Sequence, residues 1–349
     1  MVRPAVPAVT AFLYYAGMAA DRQTEQIGLA VAEDGRSFRR VNGDGLIIPI
    51  DAAVAWRSVR TCNPTVLRVR DEWWMFYQGV GPQPAGDQLT HVIALARSHD
   101  ARTWKVDAEP MLTFDDVRAA CPVFADSRHG GVIEPSVSVV DGELRMHFVA
   151  YRDHYSRGTW LCHARSRDGR DWRIDPSWVL SGDQFGNYRL HYPQVTFAKD
   201  RTVIWFSLIE RRTGAAAIVQ MTSSGGNPFG ETRQLLPPHG PGLRVEPEEL
   251  VAVRIGGGRV RGADRLNQSL ARLVRDGRNY LGYSHPHVTD GRLYYHAYHR
   301  HRGGRTWMDI GYCDYPVNGG PSHTIALSPA ADQRAWDAWF VADPFVITL

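Results

Sequence analysis

The sequence predicts an all-β fold, a five-bladed β-propeller that forms one domain over residues 1–349. Three observations lead to this prediction. A short X-Pro-X-Val pattern occurs five times, strands rich in aromatic residues follow four of its copies, and the two ends of the chain carry complementary parts of one further unit. Repeats of this kind are typical of folds built from similar units arranged in a ring or a stack.

The X-Pro-X-Val pattern is the clearest repeat in the chain. Its copies are Asn63-Pro-Thr-Val, Glu134-Pro-Ser-Val, Tyr192-Pro-Gln-Val, His285-Pro-His-Val and Asp343-Pro-Phe-Val. Proline has no amide hydrogen and is tolerated at the start of a strand, while the β-branched valine favours extended backbone. Each copy is therefore predicted to open the innermost strand of a blade, with its first residue at the mouth of a central funnel.

Two further strands are predicted after each of the first four copies. The aromatic strands cover residues 73–77, 144–148, 203–207 and 293–297, and the apolar strands that follow them cover residues 92–97, 159–165, 216–221 and 308–312. Asp141-Gly142 and Asp290-Gly291 precede two of the aromatic strands, and Asp-Gly is a preferred hairpin turn. Acidic turns at Asp34, Asp100 and Asp168 come before Phe38, Trp104 and Trp172, and they are predicted to be structural.

The fifth blade is predicted to be shared by the two ends of the chain. Residues 12–17, 27–32 and 38–41 have the pattern of strands but no X-Pro copy before them, and the copy at Asp343 supplies the missing strand. This pairing closes the ring and covers strand edges that an open array would expose.

The longest interval between copies holds an insertion at residues 237–282. A glycine-rich turn is predicted at residues 256–258 and a short amphipathic helix at residues 264–274. Long insertions in compact domains are often functional, so this segment is either a lid over the funnel or a surface loop.

Composition and charge narrow the class of protein. With 44% hydrophobic and 22% charged residues, the chain suits a folded core rather than disorder. Lys and Arg total 40 against 37 Asp and Glu, without a run of like charge, so no nucleic-acid partner is predicted. No apolar stretch reaches the roughly 20 residues of a membrane helix, so no membrane partner is predicted. The cysteines Cys62, Cys121, Cys162 and Cys313 are widely spaced, which predicts free thiols and a cytoplasmic rather than secreted protein.

The X-Pro inner strands, the Asp-Gly-X-X-Trp turns and the acidic residues at the strand mouths together resemble the five-bladed β-propeller glycoside hydrolases. That superfamily includes invertases and fructosidases, levansucrases, arabinanases and β-xylosidases. The resemblance spans nearly the whole chain, although each motif is only a few residues long. It implies a carbohydrate-active enzyme that uses two carboxyl groups across a glycosidic bond.

The resemblance also implies roles for three mouth residues. In the fructosidase-like branch, an Asp-Pro nucleophile, an Arg-Asp-Pro transition-state stabiliser and a Glu acid open three consecutive blades. By this resemblance Asp343 is the nucleophile or base and Glu134 is the general acid, so both are predicted to be catalytic. Asn63 occupies the stabiliser's place without its charge, which departs from the family pattern, and it is assigned to substrate binding.

The other two mouths carry residues that suit a sugar. Tyr192 and the preceding His191 offer stacking and hydrogen bonding. His285 and His287 are two positions apart, so an extended strand would place them on the same side, and both are predicted to bind substrate. A hydrogen-bonded structural role is the alternative for these histidines. No metal ligand set is predicted and no cofactor is required, although the resemblance allows a central ion such as calcium.

Two arginines complete the predicted binding residues. Arg60 comes just before an inner strand, and Arg152 comes just after a second strand. If their side chains converge on the funnel, they suit an anionic group such as phosphate. Solvation at the surface is the alternative for each of them.

Three functions follow from these residues. The first is an enzyme that cleaves or transfers a glycosyl group of a small glycoside by carboxylate acid–base chemistry, with water or phosphate as the acceptor. The second is a biosynthetic isomerase, lyase or cyclase that uses Glu134 and His285 to move protons on a polar metabolite. The third is a sugar-binding module without catalysis.

Overall fold

The structure is a computed structural model that describes residues 10–21, 23–33, 37–82, 89–154, 158–177, 179–198, 201–211, 216–224, 231–236, 280–300, 306–316 and 324–349. The chain is all-β in these ranges apart from one α-helix and three short 3-10 helices. Most of the predicted insertion at 237–282, including its glycine-rich turn and its helix, lies outside the described residues.

Antiparallel pairing joins the strands into five strand sets. Set 1 comprises β1 (Ala11–Met18), β2 (Glu25–Ala32), β3 (Arg39–Arg40), β4 (Leu46–Ile48) and β22 (Phe340–Thr348). Set 2 comprises β5 (Arg60–Val69), β6 (Glu72–Pro82), β7 (Leu89–Ser98) and β8 (Lys105–Val106). Set 3 comprises β9 (Gly130–Val140), β10 (Glu143–Arg152), β11 (Trp160–Ser166), β12 (Arg173–Ile174) and β13 (Leu180–Ser181). Set 4 comprises β14 (Tyr188–Ala198), β15 (Arg201–Glu210), β16 (Ala216–Ser224) and β17 (Glu231–Leu236). Set 5 comprises β18 (Tyr280–Thr289), β19 (Arg292–Arg300), β20 (Thr306–Asp314) and β21 (Thr324–Leu327).

One parallel contact joins set 1 to set 2, between Glu25 and Arg60, and another joins set 4 to set 5. The strands therefore form three sheets of nine, five and eight strands, none of which closes on itself within the described ranges. The predicted pairing of the two ends of the chain is present, because β22 runs antiparallel to β1 from Ala11 opposite Thr348 to Met18 opposite Phe340.

Each X-Pro copy forms a β-bulge in the first strand of its set, which in set 1 is β22. The prediction that the copies open these strands is wrong, because the first residue of each copy lies three to five residues after the strand begins. In every copy the first residue and the proline lie opposite a single aromatic residue of the neighbouring strand, as the pairing on either side of the bulge shows. These fully buried aromatic residues are Tyr15, Tyr77, Phe148, Phe206 and Tyr295. Because proline has no N–H, the extra residue adds no unpaired backbone donor to the strand.

The first residue of every bulge has a left-handed backbone conformation. The φ angles are 53° at Asn63, 57° at Glu134, 53° at Tyr192, 54° at His285 and 54° at Asp343. Such angles are uncommon for residues other than glycine, and bulges re-aim the side chains that they carry. The same local geometry therefore gives all five mouth residues side-chain directions that differ from the regular alternation of a strand.

Two of the three acidic outer turns, at Asp100 and Asp168, have the structural role that the sequence predicts, and the third, at Asp34, lies outside the described residues. One carboxylate oxygen of Asp100 accepts the backbone N–H of Thr103 at 2.7 Å, and one of Asp168 accepts that of Asp171 at 3.0 Å. Backbone and side-chain hydrogen bonds lower the pKa of Asp100 to about 2. The carboxylates of these two aspartates therefore stabilise their own turns.

The one α-helix, α1 (Phe114–Ala120), was not predicted from the sequence. It lies between sets 2 and 3, and it buries Phe114 and Val117 against a core cluster that also contains Phe76 and Phe148. The 3-10 helices cover Ala55–Arg57, Pro122–Phe124 and Gly182–Phe185. None of the helices in the described part of the chain is long and apolar enough to cross a membrane.

Substitution of Val341 by alanine tests the contribution of β22 to the core. Val341 is fully buried in a cluster with Leu13 and Tyr15 of β1, so loss of two methyl groups is expected to lower the free energy of unfolding by about 2 kcal/mol. Urea denaturation of both proteins measures the difference. The control Val139→Ala removes the same atoms from a side chain that is 49% exposed, and it is expected to change stability by less than about 0.5 kcal/mol. Equal losses in the two variants would contradict the packing of β22 against β1.

Candidate functional site

Hydrogen bonds between neighbouring strand sets connect the five bulges. The backbone N–H groups of four mouth residues are each captured by a side chain from the neighbouring set. Asn63 N donates to Asp343 Oδ2 at 3.3 Å, Tyr192 N to Glu134 Oε2 at 2.7 Å, His285 N to Ser207 Oγ at 2.9 Å, and Asp343 N to His296 Nδ1 at 3.3 Å. Two of these bonds, Asn63 to Asp343 and Tyr192 to Glu134, therefore join mouth residues of neighbouring sets directly.

Asp343 is a buried carboxylate between two histidines. Its Oδ1 lies 3.0 Å from Nδ1 of His285 and 3.6 Å from Nδ1 of His296. Burial alone would raise the pKa of Asp343, but the charge and hydrogen bonding of the histidines, above all His285, outweigh it and hold that pKa well below its ordinary value. Burial lowers the pKa of His296, which fits a neutral ring whose Nδ1 accepts the Asp343 N–H. We therefore assign His285 as the main partner of an ionised Asp343.

Glu134 is buried with both carboxylate oxygens occupied. Oε1 accepts a hydrogen bond from Nδ1 of His191 at 2.8 Å, and Oε2 accepts the backbone N–H of Tyr192 at 2.7 Å. The side chain of Glu134 is 5% exposed. Two donors from set 4 thus fix the orientation of this set 3 carboxyl group.

The ring of Tyr192 connects the two carboxyl groups. It stacks on His285 with ring centroids 4.7 Å apart and an interplanar angle of 24°, and it meets His296 edge-on at 5.4 Å. Glu134 contacts the backbone of Tyr192, and Asp343 contacts the ring of His285. Two carboxyl groups that lie more than two hundred positions apart in the sequence therefore belong to one cluster.

Asn63 takes part in the same cluster through its backbone. Its Nδ2 donates to Oε1 of Gln78 at 2.8 Å, and its Oδ1 is buried without a hydrogen-bond partner among the described residues. Burying a hydrogen-bond acceptor without a donor costs free energy, and a ligand that supplies a donor would remove that cost. Asn63 is thus arranged to receive a hydrogen bond, consistent with its predicted role in substrate binding.

The two predicted arginines lie in different surroundings. Nε of Arg60 donates to the backbone oxygen of Gln23 at 3.1 Å, and its NH1 lies 3.8 Å from Glu25. Arg152 is exposed, stacks over Trp160 at 5.4 Å, and lines a surface pocket that also contains Asp126, Asp153 and Asp183. Acidic groups surround Arg152, so its pocket does not suit an anion, and the structure does not bring the two guanidinium groups together.

His287 has a structural environment. It is 4% exposed, its Nε2 donates to the backbone oxygen of Val346 at 2.9 Å, and its ring packs on Phe345 at 4.2 Å between centroids. The prediction that it accompanies His285 assumed regular alternation, which the bulge at His285 and Pro286 interrupts. We leave His287 out of the candidate site.

Glu25 is a site residue that the sequence analysis missed. It is buried, and one of its carboxylate oxygens lies within 4.8 Å of both a carboxylate oxygen of Asp343 and Sγ of Cys62. Burial and the neighbouring charge of Asp343 raise the pKa of Glu25 to about 8. No motif marks this position, since it opens the third strand of set 1 rather than an X-Pro strand. A charged residue two positions before the apolar run 27–32 was the one available signal.

A central calcium ion does not fit the donor atoms of this cluster. Two groups of three ligating side chains occur within the described ranges: His285, His296 and Asp343, and Glu25, Cys62 and Asp343. Calcium takes about six to eight oxygen ligands. The first group offers two nitrogens and a carboxylate that is already hydrogen-bonded, and the second includes a buried thiol whose pKa is raised by burial.

No family model matches the chain, and no curated protein matches its sequence. Solved structures do match its fold. A Bombyx mori family-32 β-fructofuranosidase gives a TM-score of 0.54 at 10% identity over 89% of this chain, which spans 60% of the length of that enzyme. A thermostable family-43 glycoside hydrolase gives 0.54 at 14% identity, covering 93% of this chain and 96% of that one. A Bacteroides ovatus glycosyl hydrolase gives 0.52 at 13% identity, covering 83% and 80%. The chain therefore shares the β-propeller fold of these glycoside hydrolases.

The acid sensitivity of the fold is expected to depend in part on His287. Burial lowers its pKa to about 4 in the folded state, against about 6.5 in an unfolded chain. As the pH falls from about 6.5 to about 4, the unfolded state therefore binds the proton first and stability is lost. Between pH 7 and pH 5, the free energy of unfolding of His287→Gln is therefore expected to fall by about 1–2 kcal/mol less than that of the unaltered protein. Urea denaturation of both proteins at both pH values measures the difference.

His99→Gln is the matched control for this measurement, because the side chain of His99 is 86% exposed. It is expected to leave the pH dependence of stability unchanged. A dependence that is identical in all three proteins would show that His287 does not titrate as its burial implies.

Proposed function

We propose that this chain is a carbohydrate-active enzyme that cleaves or transfers a glycosyl group of a small glycoside, on a five-bladed propeller closed by β22. The five strand sets, each with one X-Pro bulge in its first strand, support five blades. Contacts between these first strands support a ring, since β5 contacts β9, β9 contacts β14, β14 contacts β18, β18 contacts β22, and β22 contacts β5.

A single observation carries the proposed chemistry. Asp343 and Glu134 are both buried, and Tyr192 and His285 join them into one cluster. Glycosyl transfer by the usual route needs two carboxyl groups on either side of the glycosidic bond. In this proposal Asp343, ionised beside His285, is the base or nucleophile, and Glu134 is the general acid.

The residues around the pair suit a neutral sugar. Tyr192 presents an aromatic ring, and the unsatisfied Oδ1 of Asn63 accepts a hydrogen bond from a hydroxyl group. The mouth residues include no arginine or lysine. The acceptor, water or phosphate, remains open in this proposal, although Arg60 is the one predicted arginine that lies beside a member of the cluster, Glu25.

A second function is favoured by one departure from the glycoside hydrolase pattern. Asn63 is an amide that bonds Gln78, where the resemblance implies a carboxylate. A biosynthetic isomerase, lyase or cyclase needs only a base and an acid placed on one polar substrate, and the hydrogen-bonded pair of Asp343 and His285 provides that chemistry. Product analysis separates this function from glycosyl transfer.

Glu134→Gln and Asp343→Asn are the variants that test the proposed chemistry. Each retains the size of its side chain and removes the carboxylate, so turnover in a glycoside panel is expected to fall by about 10²–10⁴-fold. Rates are followed by product NMR with and without inorganic phosphate, and circular dichroism checks that the variants fold.

Glu109→Gln changes an exposed glutamate and serves as the control, with unchanged turnover expected. Full turnover in Glu134→Gln would remove Glu134 from the mechanism. If no glycoside is turned over by the unaltered protein but a polar metabolite is isomerised or cyclised, the second function replaces the first. Sugar binding without any turnover would instead indicate a binding module.

A further inference from the structure

We propose that Glu25 is a further residue of this site, a neutral carboxyl group that donates a hydrogen bond to an oxygen held between Glu25 and Asp343. The proposal rests on the proposed function, because it takes Asp343 as part of the working site. Glu25 lies outside the X-Pro repeat, and the proposal gives it the role of a neutral hydrogen-bond donor, which is assigned to none of the mouth residues.

The position of Glu25 brings it to the cluster. It begins β2, pairs with Met18 of β1, and makes the single parallel contact to Arg60 of set 2. Its side chain is 9% exposed, and its carboxylate oxygen is within 4.8 Å of Asp343. An oxygen atom that hydrogen-bonds both carboxyl groups at about 2.7 Å bridges a gap of up to about 5 Å. A separation within this limit allows one ligand oxygen to hydrogen-bond both carboxyl groups.

The charges around Glu25 favour its neutral form. Arg60 is the basic group facing it, at 3.8 Å, and Nε of that guanidinium is engaged by Gln23. Sγ of Cys62 and the carboxylate of Asp343 face it from β5 and β22, and Asp343 is held ionised by His285. Two carboxylates this close do not readily ionise together. Burial and Asp343 raise the pKa of Glu25 to about 8, so Glu25 retains its proton at neutral pH and loses it as the pH rises through that value.

A neutral donor opposite an ionised acceptor selects a particular chemical group. A hydroxyl group or a water molecule accepts one hydrogen bond and donates another, so it matches Glu25 on one side and Asp343 on the other. An anionic oxygen offers no donor to Asp343, and an ammonium group offers no acceptor to Glu25. The structure thus points to a hydroxyl group of the substrate or to the attacking water.

The test compares Glu25→Gln and Glu25→Ala with the unaltered full-length chain across pH 5.5–9.5. The amide of glutamine is also a neutral donor but cannot ionise. The rate of the unaltered protein is expected to fall above about pH 8, and Glu25→Gln is expected to be several-fold slower at pH 6.5 while losing that alkaline fall. Glu25→Ala has no donor and is expected to lose about 10- to 100-fold. Glu33→Gln, at an 80% exposed side chain beyond the other end of β2, is the control and keeps the alkaline fall.

The split between the kinetic constants identifies the bound oxygen. A raised KM in Glu25→Ala indicates a substrate hydroxyl, whereas a lowered kcat at constant KM indicates the attacking water. An alkaline fall that persists in Glu25→Gln overturns the proposal, as does a glutamine variant no more active than the alanine variant.

Infrared spectroscopy separates this proposal from the proposed function, because it needs no turnover. The difference spectrum between the unaltered protein and Glu25→Gln is expected to contain a protonated-carboxyl band at pH 6.5 that disappears above about pH 8. Absence of that band overturns the proposal even if glycosyl transfer is found. If the band is present but no glycoside is turned over, the band supports the neutral state of Glu25, and the lack of turnover counts against the proposed function alone.

Discussion

The site depends on one local backbone constraint, the proline-containing β-bulge in the first strand of each set. A left-handed residue other than glycine costs about 1–2 kcal/mol, and the chain accepts this conformation at all five mouths. The following proline removes the N–H that the bulge would otherwise leave unpaired. The strained residue's own N–H is taken by a side chain of the neighbouring set in four copies, which offsets part of the cost. The same bonds that relieve the strain also align the side chains that carry the chemistry.

The acidic and histidine side chains of the cluster differ in protonation state, and their burial and hydrogen-bond partners determine which of them are charged. His285 and the Asn63 N–H favour an ionised Asp343, whereas burial and the charge of Asp343 raise the pKa of Glu25, although Arg60 faces it at 3.8 Å. His296 is fully buried and neutral, so it serves the backbone of Asp343 rather than its charge. In the proposed site Asp343 and Glu25 therefore hold different protonation states, which is a common arrangement where one group must accept a hydrogen bond and the other must donate one.

Much of the architecture was readable from the sequence because it is repeated. The X-Pro pattern located the five mouth residues, and the missing pattern at the start of the chain correctly paired β22 with β1. Features without a repeat were missed. Glu25 belongs to no motif, and α1 is a seven-residue helix whose capping pair, Thr113 and Asp116, is short and common. The placement of His287 beside His285 failed for a different reason, because regular strand alternation was assumed where the structure has a β-bulge.

The antiparallel pairing of β22 with β1 carries a consequence for biosynthesis. Tyr14 and Tyr15 of β1 are translated more than three hundred residues before the strand that pairs with β1 and carries Asp343. Until then the first strand set presents an open hydrogen-bonding edge and uncovered aromatic side chains, the features that draw nascent chains into aggregates. The cluster around Asp343 therefore forms only after β22 has been translated.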